Sequence, residues 1–164
     1  MPIAETLLAE LTREAATTRK CLERIPEDAL DWRPHRKSMR LRHLAAHLAQ
    51  LPCWGVAVLT QDVWRKDSVT EHEQLQTLEA ILDFFDRHLQ DFQKALKGKP
   101  DDYLQAIWCM EVDGVTTIQR PRALVLRTLV LNHMIHHRAQ LGVYLRLQDV
   151  PLPPIYGPTA DEGL

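Results

Sequence analysis

Cysteine is scarce in this chain. Only three of its 164 residues carry a thiol (Cys21, Cys53 and Cys109), an odd number without CxxC spacing, which argues against a disulfide framework or a thiolate zinc knuckle. They read as buried small hydrophobes in a reducing compartment. Glycine is sparse too, and no P-loop, GxGxxG or GxSxG motif is present. No apolar run approaches the roughly 20 residues needed to cross a bilayer. The first twenty residues are charged too early and too often for a signal peptide. Positive charge has no excess: 20 Lys and Arg against 22 Asp and Glu leave a net charge of −2, so there is no basic footprint for a phosphate backbone. These absences point to a cytoplasmic domain spanning residues 1–164, with no nucleic-acid or membrane partner. A hydrophobic fraction of 45% in a chain of this length is enough to bury a core without staples.

Helical periodicity is abundant. Ile3, Leu7, Leu8, Leu11, Ala15, Thr18, Leu22 and Ile25 recur every three or four residues, with Glu5, Glu10, Arg13, Glu14, Arg19 and Lys20 largely opposite. Pro26 ends that segment. A second helix is expected from an N-cap at Ser38 to about Thr60, kinked or broken at Pro52. A third, over roughly residues 71–96, carries a seam of Leu75, Leu78, Ile81, Leu82, Phe85, Leu89, Phe92 and Leu96, with Thr70 and Glu73 arranged as a capping box. Between residues 98 and 120 the pattern lapses into β-prone stretches on either side of Asp113-Gly114, a hairpin signal. Pro121 opens a fourth helix to about residue 147, apolar on most sides and so central or at a subunit interface. The Pro-rich tail reads as an ordered strap. The expected fold class is all-α, a four-helix bundle with a short hairpin or extended crossover between helices 3 and 4.

The eight histidines carry the chemistry. His133 and His137 stand at i and i+4 in the fourth helix, about 40° apart around its axis and one turn along it, so both can reach one ion. Their face is otherwise largely core in type, and unpartnered imidazoles are costly there. His47 shares a face of the second helix with Leu44, Leu51, Trp54 and Val58, whereas His43, beside Arg40 and Arg42, belongs near the surface. One histidine on an apolar face is more often a core residue bonded to a carbonyl. Two at this spacing, with a third inward on another helix, tip the reading toward a divalent metal on His47, His133 and His137.

Other residues have weaker claims. His136 also shares a face with His133 at i+3 and reads as packing or support for the ligands. Cys53 lies about 120° around its helix from His47 and is a poor ligand. Cys109 and Glu111 on the crossover are possible further ligands. Tyr144 or Gln50 are placed to contact a bound ligand, and Arg138 to pair with an acidic group or a partner chain.

The runs Lys37-Ser38-Met39, Leu44-Ala45-Ala46-His47, Leu51-Pro52-Cys53-Trp54, Asn132-His133-Met134-Ile135-His136-His137-Arg138-Ala139-Gln140-Leu141 and Tyr156-Gly157-Pro158-Thr159-Ala160-Asp161-Glu162 resemble the DinB family of the DinB/YfiT-like metalloenzyme superfamily. The resemblance covers nearly the whole chain. It implies an up-down-down-up four-helix bundle, commonly dimeric, with a metal triad that maps by motif onto His47, His133 and His137. Ala139 replaces the family's usual glycine, a small-for-small change. Nickel or zinc is the metal the resemblance implies, and its better-understood members are transferases and isomerases that use low-molecular-weight thiols.

Two functions follow as expectations. One is a metal-dependent transferase or hydrolase that activates a thiol or water in an open position on a three-histidine site. The other is a non-catalytic metal-binding stress-response protein whose ion is structural, which would call for a fourth protein ligand such as Cys109, Glu111 or His43. Three histidines suit nickel, zinc, iron and copper alike, and the substrate is not encoded in any motif.

Overall fold

The structure is a computed structural model that describes residues 1–66 and 75–163. Helix α1 (Ile3–Glu23) ends just ahead of Pro26 and buries Leu7, Leu11, Ala15 and Leu22, as its periodicity requires. It also buries Glu14, which the sequence pattern sets among the water-facing residues. A short 3₁₀ turn (Glu27–Ala29) and a linker follow, and helix α2 spans Leu41–Thr60.

Ser38 does not cap α2. Arg40 occupies the N-cap position without a side-chain cap, and the first N–H groups of the helix donate to the linker's own carbonyls, Leu41 to Trp32 at 2.8 Å and Arg42 to Leu30 at 2.9 Å. Those bonds satisfy donors that a helix N-terminus otherwise leaves open. Nor does Pro52 break α2, which continues unbroken to Thr60.

Helix α3 (Leu78–Leu96) starts later than its apolar seam suggests, and its N-cap is Thr77, whose hydroxyl accepts from the Ala80 N–H at 3.2 Å. Glu27 reaches across to accept from the Leu78 N–H at 3.2 Å. Thr70 and Glu73, read as a capping box, lie outside the described residues. Helices α2 and α3 meet closely at Gly55, where a Cβ would stand 2.6 Å from the Phe92 ring. Helix α4 (Asp101–Gln105) then leads into the crossover.

The all-α four-helix bundle of up-down-down-up topology is corrected by a three-stranded mixed sheet. Strands β2 (Ile107–Val112) and β3 (Val115–Pro121) form the antiparallel hairpin expected around Asp113-Gly114, both of which have positive φ, 50° and 77°. That conformation suits a tight two-residue hairpin turn. Strand β1 (Val63–Lys66), which the sequence reading does not anticipate, pairs in parallel with β2 in the register Val63↔Cys109. Its pairing covers an edge of β2 that a lone hairpin would leave open.

The last long helical segment is composite. Helix α5 (Arg122–Val125) passes into a π-helical stretch, Leu126–Leu131, and then into α6 (Asn132–Leu147). The buried pairs Val125/Leu126 and Val130/Leu131 are five residues apart, whereas Met134, His137, Leu141 and Leu145 step by three and four. The inward stripe therefore changes phase, which accounts for a sequence apolar on most sides. Helices α1, α2, α3 and α6 enclose the core. Among the described residues, no helix is long and apolar enough to cross a membrane.

Candidate metal centre

His47 from α2 and His133 and His137 from α6 converge. The Nε2 atoms of His137 and His133 are 2.8 Å apart and those of His47 and His133 are 3.3 Å apart, and one nitrogen from each ring falls within 4.8 Å of the others. A tetrahedral ion with bonds of ~2.0–2.1 Å holds its nitrogens about 3.3 Å apart, so the ring positions suit a single ion. His137 is buried and the other two rings half-buried.

The far side of two rings fixes which nitrogen carries hydrogen. His133 Nδ1 lies 3.2 Å from the Leu129 carbonyl oxygen, and His137 Nδ1 lies 2.7 Å from Gln140 Oε1. Both oxygens accept, so in the neutral rings Nδ1 is the donor and Nε2 presents a lone pair. Two lone pairs facing each other at 2.8 Å repel unless a cation or a proton lies between them. Burial pushes the His137 imidazole below the ordinary histidine value, the Gln140 contact opposes this in part, and the charge of His136 adds to the lowering. Neutral imidazole is the form that binds metal.

The surroundings are aromatic. Trp54 sets its ring edge-on to His47, centroids 5.4 Å apart, and contacts His133 at 5.7 Å. Trp64 of β1 extends the wall at 5.8 Å from Trp54, and fully buried Trp108 of β2 follows at 6.4 Å. Sequence reasoning placed Trp54 in an apolar stripe and missed this wall, because β1 was not foreseen.

The weaker candidates part company with the triad. Among the described residues the only potential ion-holding group of three or more His, Cys, Asp or Glu is the triad itself. Cys109 is half-buried in β2, and Glu111 pairs with Arg65 at 2.9 Å. His136 is exposed, its ring centroid 4.9 Å from that of His137, and His43 is exposed on α2. Cys53 is half-buried, and Gln50 is buried one turn after His47. The Tyr144 hydroxyl donates to the Met39 carbonyl at 3.3 Å and so fastens the linker.

Arg138 finds its acid within the chain. It is 1% exposed, Glu14 is 2% exposed, and Nη2 donates to Glu14 Oε2 at 2.7 Å. Nη1 donates to the Glu14 carbonyl at 3.0 Å, and the Tyr156 hydroxyl of the C-terminal strap donates to Glu14 Oε2 at 2.7 Å. Burial alone would raise the Glu14 carboxyl, but the hydrogen bonds from Tyr156 and Arg138 prevail and hold it below its ordinary value. A second buried arginine, Arg122, went unnoticed in the sequence. It donates to the Val58 carbonyl at 3.1 Å near the end of α2, pairs with Asp62 and lies 4.3 Å over the Tyr103 ring. Cations are favourable at helix C-termini.

A sequence model of the DinB family matches residues 1–163. The chain belongs to the DinB family. Solved structures that share its fold include two DinB-like proteins. A DinB-like protein from Bacillus cereus superposes with a TM-score of 0.73 at 22% identity, covering 93% of this chain and 97% of its own. A DinB-like protein from Bacillus subtilis gives 0.66 at 17% identity, covering 92% and 97%. No curated protein sequence matches this DinB-family chain significantly.

Proposed function

We propose that this chain is a metal-dependent transferase or hydrolase that holds one divalent ion, zinc or nickel, on His47, His133 and His137. The observation that carries the reading is the convergence of the three rings, two of them with Nε2 lone pairs directed together by hydrogen bonds at Nδ1. Three neutral imidazoles leave the charge of an ion uncompensated, which favours an anionic thiolate or hydroxide beside them. Such a ligand needs an open position on the ion, in contrast to the closed, four-ligand arrangement usual for a structural ion. A bound ion would supply acidity there, lowering the pKa of a thiol or of water, which falls toward ~7 on zinc.

The chain's own residues orient the ligands and shape their surroundings. The Leu129 carbonyl and Gln140 hold two rings by their rear nitrogens, and Trp54 packs against His47 and His133. A low-molecular-weight thiol is the co-substrate this reading favours, in keeping with the family resemblance. Exposed Val143 and Leu147, one turn apart on α6, support a homodimer through that helix, to be checked by light scattering.

Elemental analysis of untagged protein, with titration of zinc and nickel into the metal-free form, tests the reading. About one ion per chain is expected, with retention abolished in His47→Ala and in His133→Ala. Unchanged metal content in both variants would overturn the triad. One ion per chain that no thiol or other small ligand perturbs would favour the structural, non-catalytic reading.

A further inference from the structure

His133 and His137 are secured differently. Behind His133 stands a main-chain carbonyl, Leu129, in the π-helical stretch, fixed by the backbone whatever the side chain there. Behind His137 stands a side chain, the amide of Gln140, one turn further along α6, with Oε1 2.7 Å from Nδ1. Gln140 is exposed, so burial does not account for its place, and its side-chain hydrogen bond among the described residues goes to the ring. Neutral imidazole divides its proton between two nitrogens, and a ring without an acceptor behind it exposes the Nε2 lone pair for only part of the time.

We propose that Gln140 is a positioning residue for the metal centre: by accepting from His137 Nδ1 it selects the tautomer whose Nε2 lone pair faces His133 and His47. The proposal rests on the metal-binding reading in its consequence, but the tautomer itself belongs to the metal-free protein. A partner behind a ligating histidine fixes ring orientation and raises ligand basicity, and its loss typically weakens metal binding ~10–100-fold. The acceptor oxygen is the part that matters. A glutamate would supply one with the same reach, and a leucine would supply none.

The test compares wild type, Gln140→Leu and Gln140→Glu. In metal-free protein at pH 8, long-range proton–nitrogen spectra of the histidine rings are expected to show His137 protonated at Nδ1 in wild type and in Gln140→Glu. In Gln140→Leu the ring is expected to shift toward a mixture of tautomers, with the melting temperature unchanged because the side chain is exposed. Competition against a chromophoric chelator is expected to show zinc binding ~10–100-fold weaker in Gln140→Leu and at least as tight as wild type in Gln140→Glu. An unaltered tautomer in Gln140→Leu overturns the proposal, as does equal weakening of both variants. Should wild type bind no metal while the tautomer shifts as described, the metal reading fails and the role of Gln140 in orienting the ring stands.

Discussion

His137 and Arg138 are neighbours on α6, and they project about 100° apart into two polar clusters of opposite character. Around Arg138 every contact joins unlike groups. The guanidinium donates to a carboxylate, a carbonyl and two hydroxyl oxygens, and Tyr156 donates to the same carboxylate. Around His137 the contact of interest joins like with like, one ring nitrogen facing another at 2.8 Å. A buried network whose donors and acceptors already match holds the fold together and has no need of a guest. Converging acceptors call for a cation or a proton between them, and on that difference rests the proposal that the histidines are the functional cluster and the arginine a structural one.

Removing Arg138 breaks the structural side of this contrast and gives the largest effect. Arg138→Met removes the buried cation of the pair and leaves Glu14 to the exposed Arg13, 3.2 Å away, so the loss should approach the about 3–5 kcal/mol that breaking a buried pair costs. Urea unfolding is the measurement. The double variant Arg138→Met, Glu14→Met is expected to recover most of the loss, since replacing both partners by apolar groups is often near neutral. Metal content per folded chain should be unchanged in either. A parallel loss of metal would show that the two clusters act as one.

How far the sequence disclosed each cluster follows from the range of the contacts. His133 and His137 are a local pair, and i, i+4 spacing alone puts them on one face. His47 was found because its own helix is amphipathic. The hairpin was legible in Asp113-Gly114, again a local signal. Glu14 and Arg138 are 124 residues apart: Glu14 reads as a water-facing residue, and the acidic group expected beside Arg138 has no identity until α1 is packed on α6. Strand β1 is four residues long, and its pairing with β2 depends on contacts more than forty residues away. The π-helical stretch escaped for another reason: a one-residue insertion in the helical phase makes a buried helix look apolar all round, and hydrophobic residues alone do not reveal where the phase shifts. Gln140 was visible as a residue of the motif, but its bond to His137 depends on a side-chain rotamer.

Acid should separate the two clusters. Protons compete with metal for imidazole below the ordinary histidine value of ~6.5. In metal-free protein His137 has its value lowered in the fold, so the stability it contributes is present above ~6.5 and is lost as pH falls through the lowered value. Glu14 is likewise lowered, but from the carboxylate range. Its contribution is present above the unfolded value of ~4.3 and is lost only as pH falls through the folded one. Metal is therefore expected to leave while the Arg138–Glu14 pair still holds. Metal retention and near-ultraviolet circular dichroism recorded on one pH series should give two transitions, metal release first. A single transition would mean that the ion is needed to keep the strap and helices in place.

The finest distinction comes from Tyr156→Phe, which deletes one hydroxyl and leaves the ring. That hydroxyl donates to Glu14 at 2.7 Å and accepts from Arg138 at 2.9 Å, linking the C-terminal strap to α1 and α6. Arg138 keeps its bonds to the carboxylate and to the Glu14 carbonyl, so no charge is stranded. The loss should be about 1–3 kcal/mol, toward the upper end if the donor to a charged acceptor is not replaced by water. Without that donor Glu14 loses one of the hydrogen bonds that oppose its burial, so its carboxyl should rise toward the ordinary value and the acid transition of the pair should move to higher pH. Metal affinity should stay as in wild type, because neither atom involved touches a histidine. An acid transition that does not move would assign the low Glu14 value to Arg138 and Arg13 and reduce Tyr156 to packing.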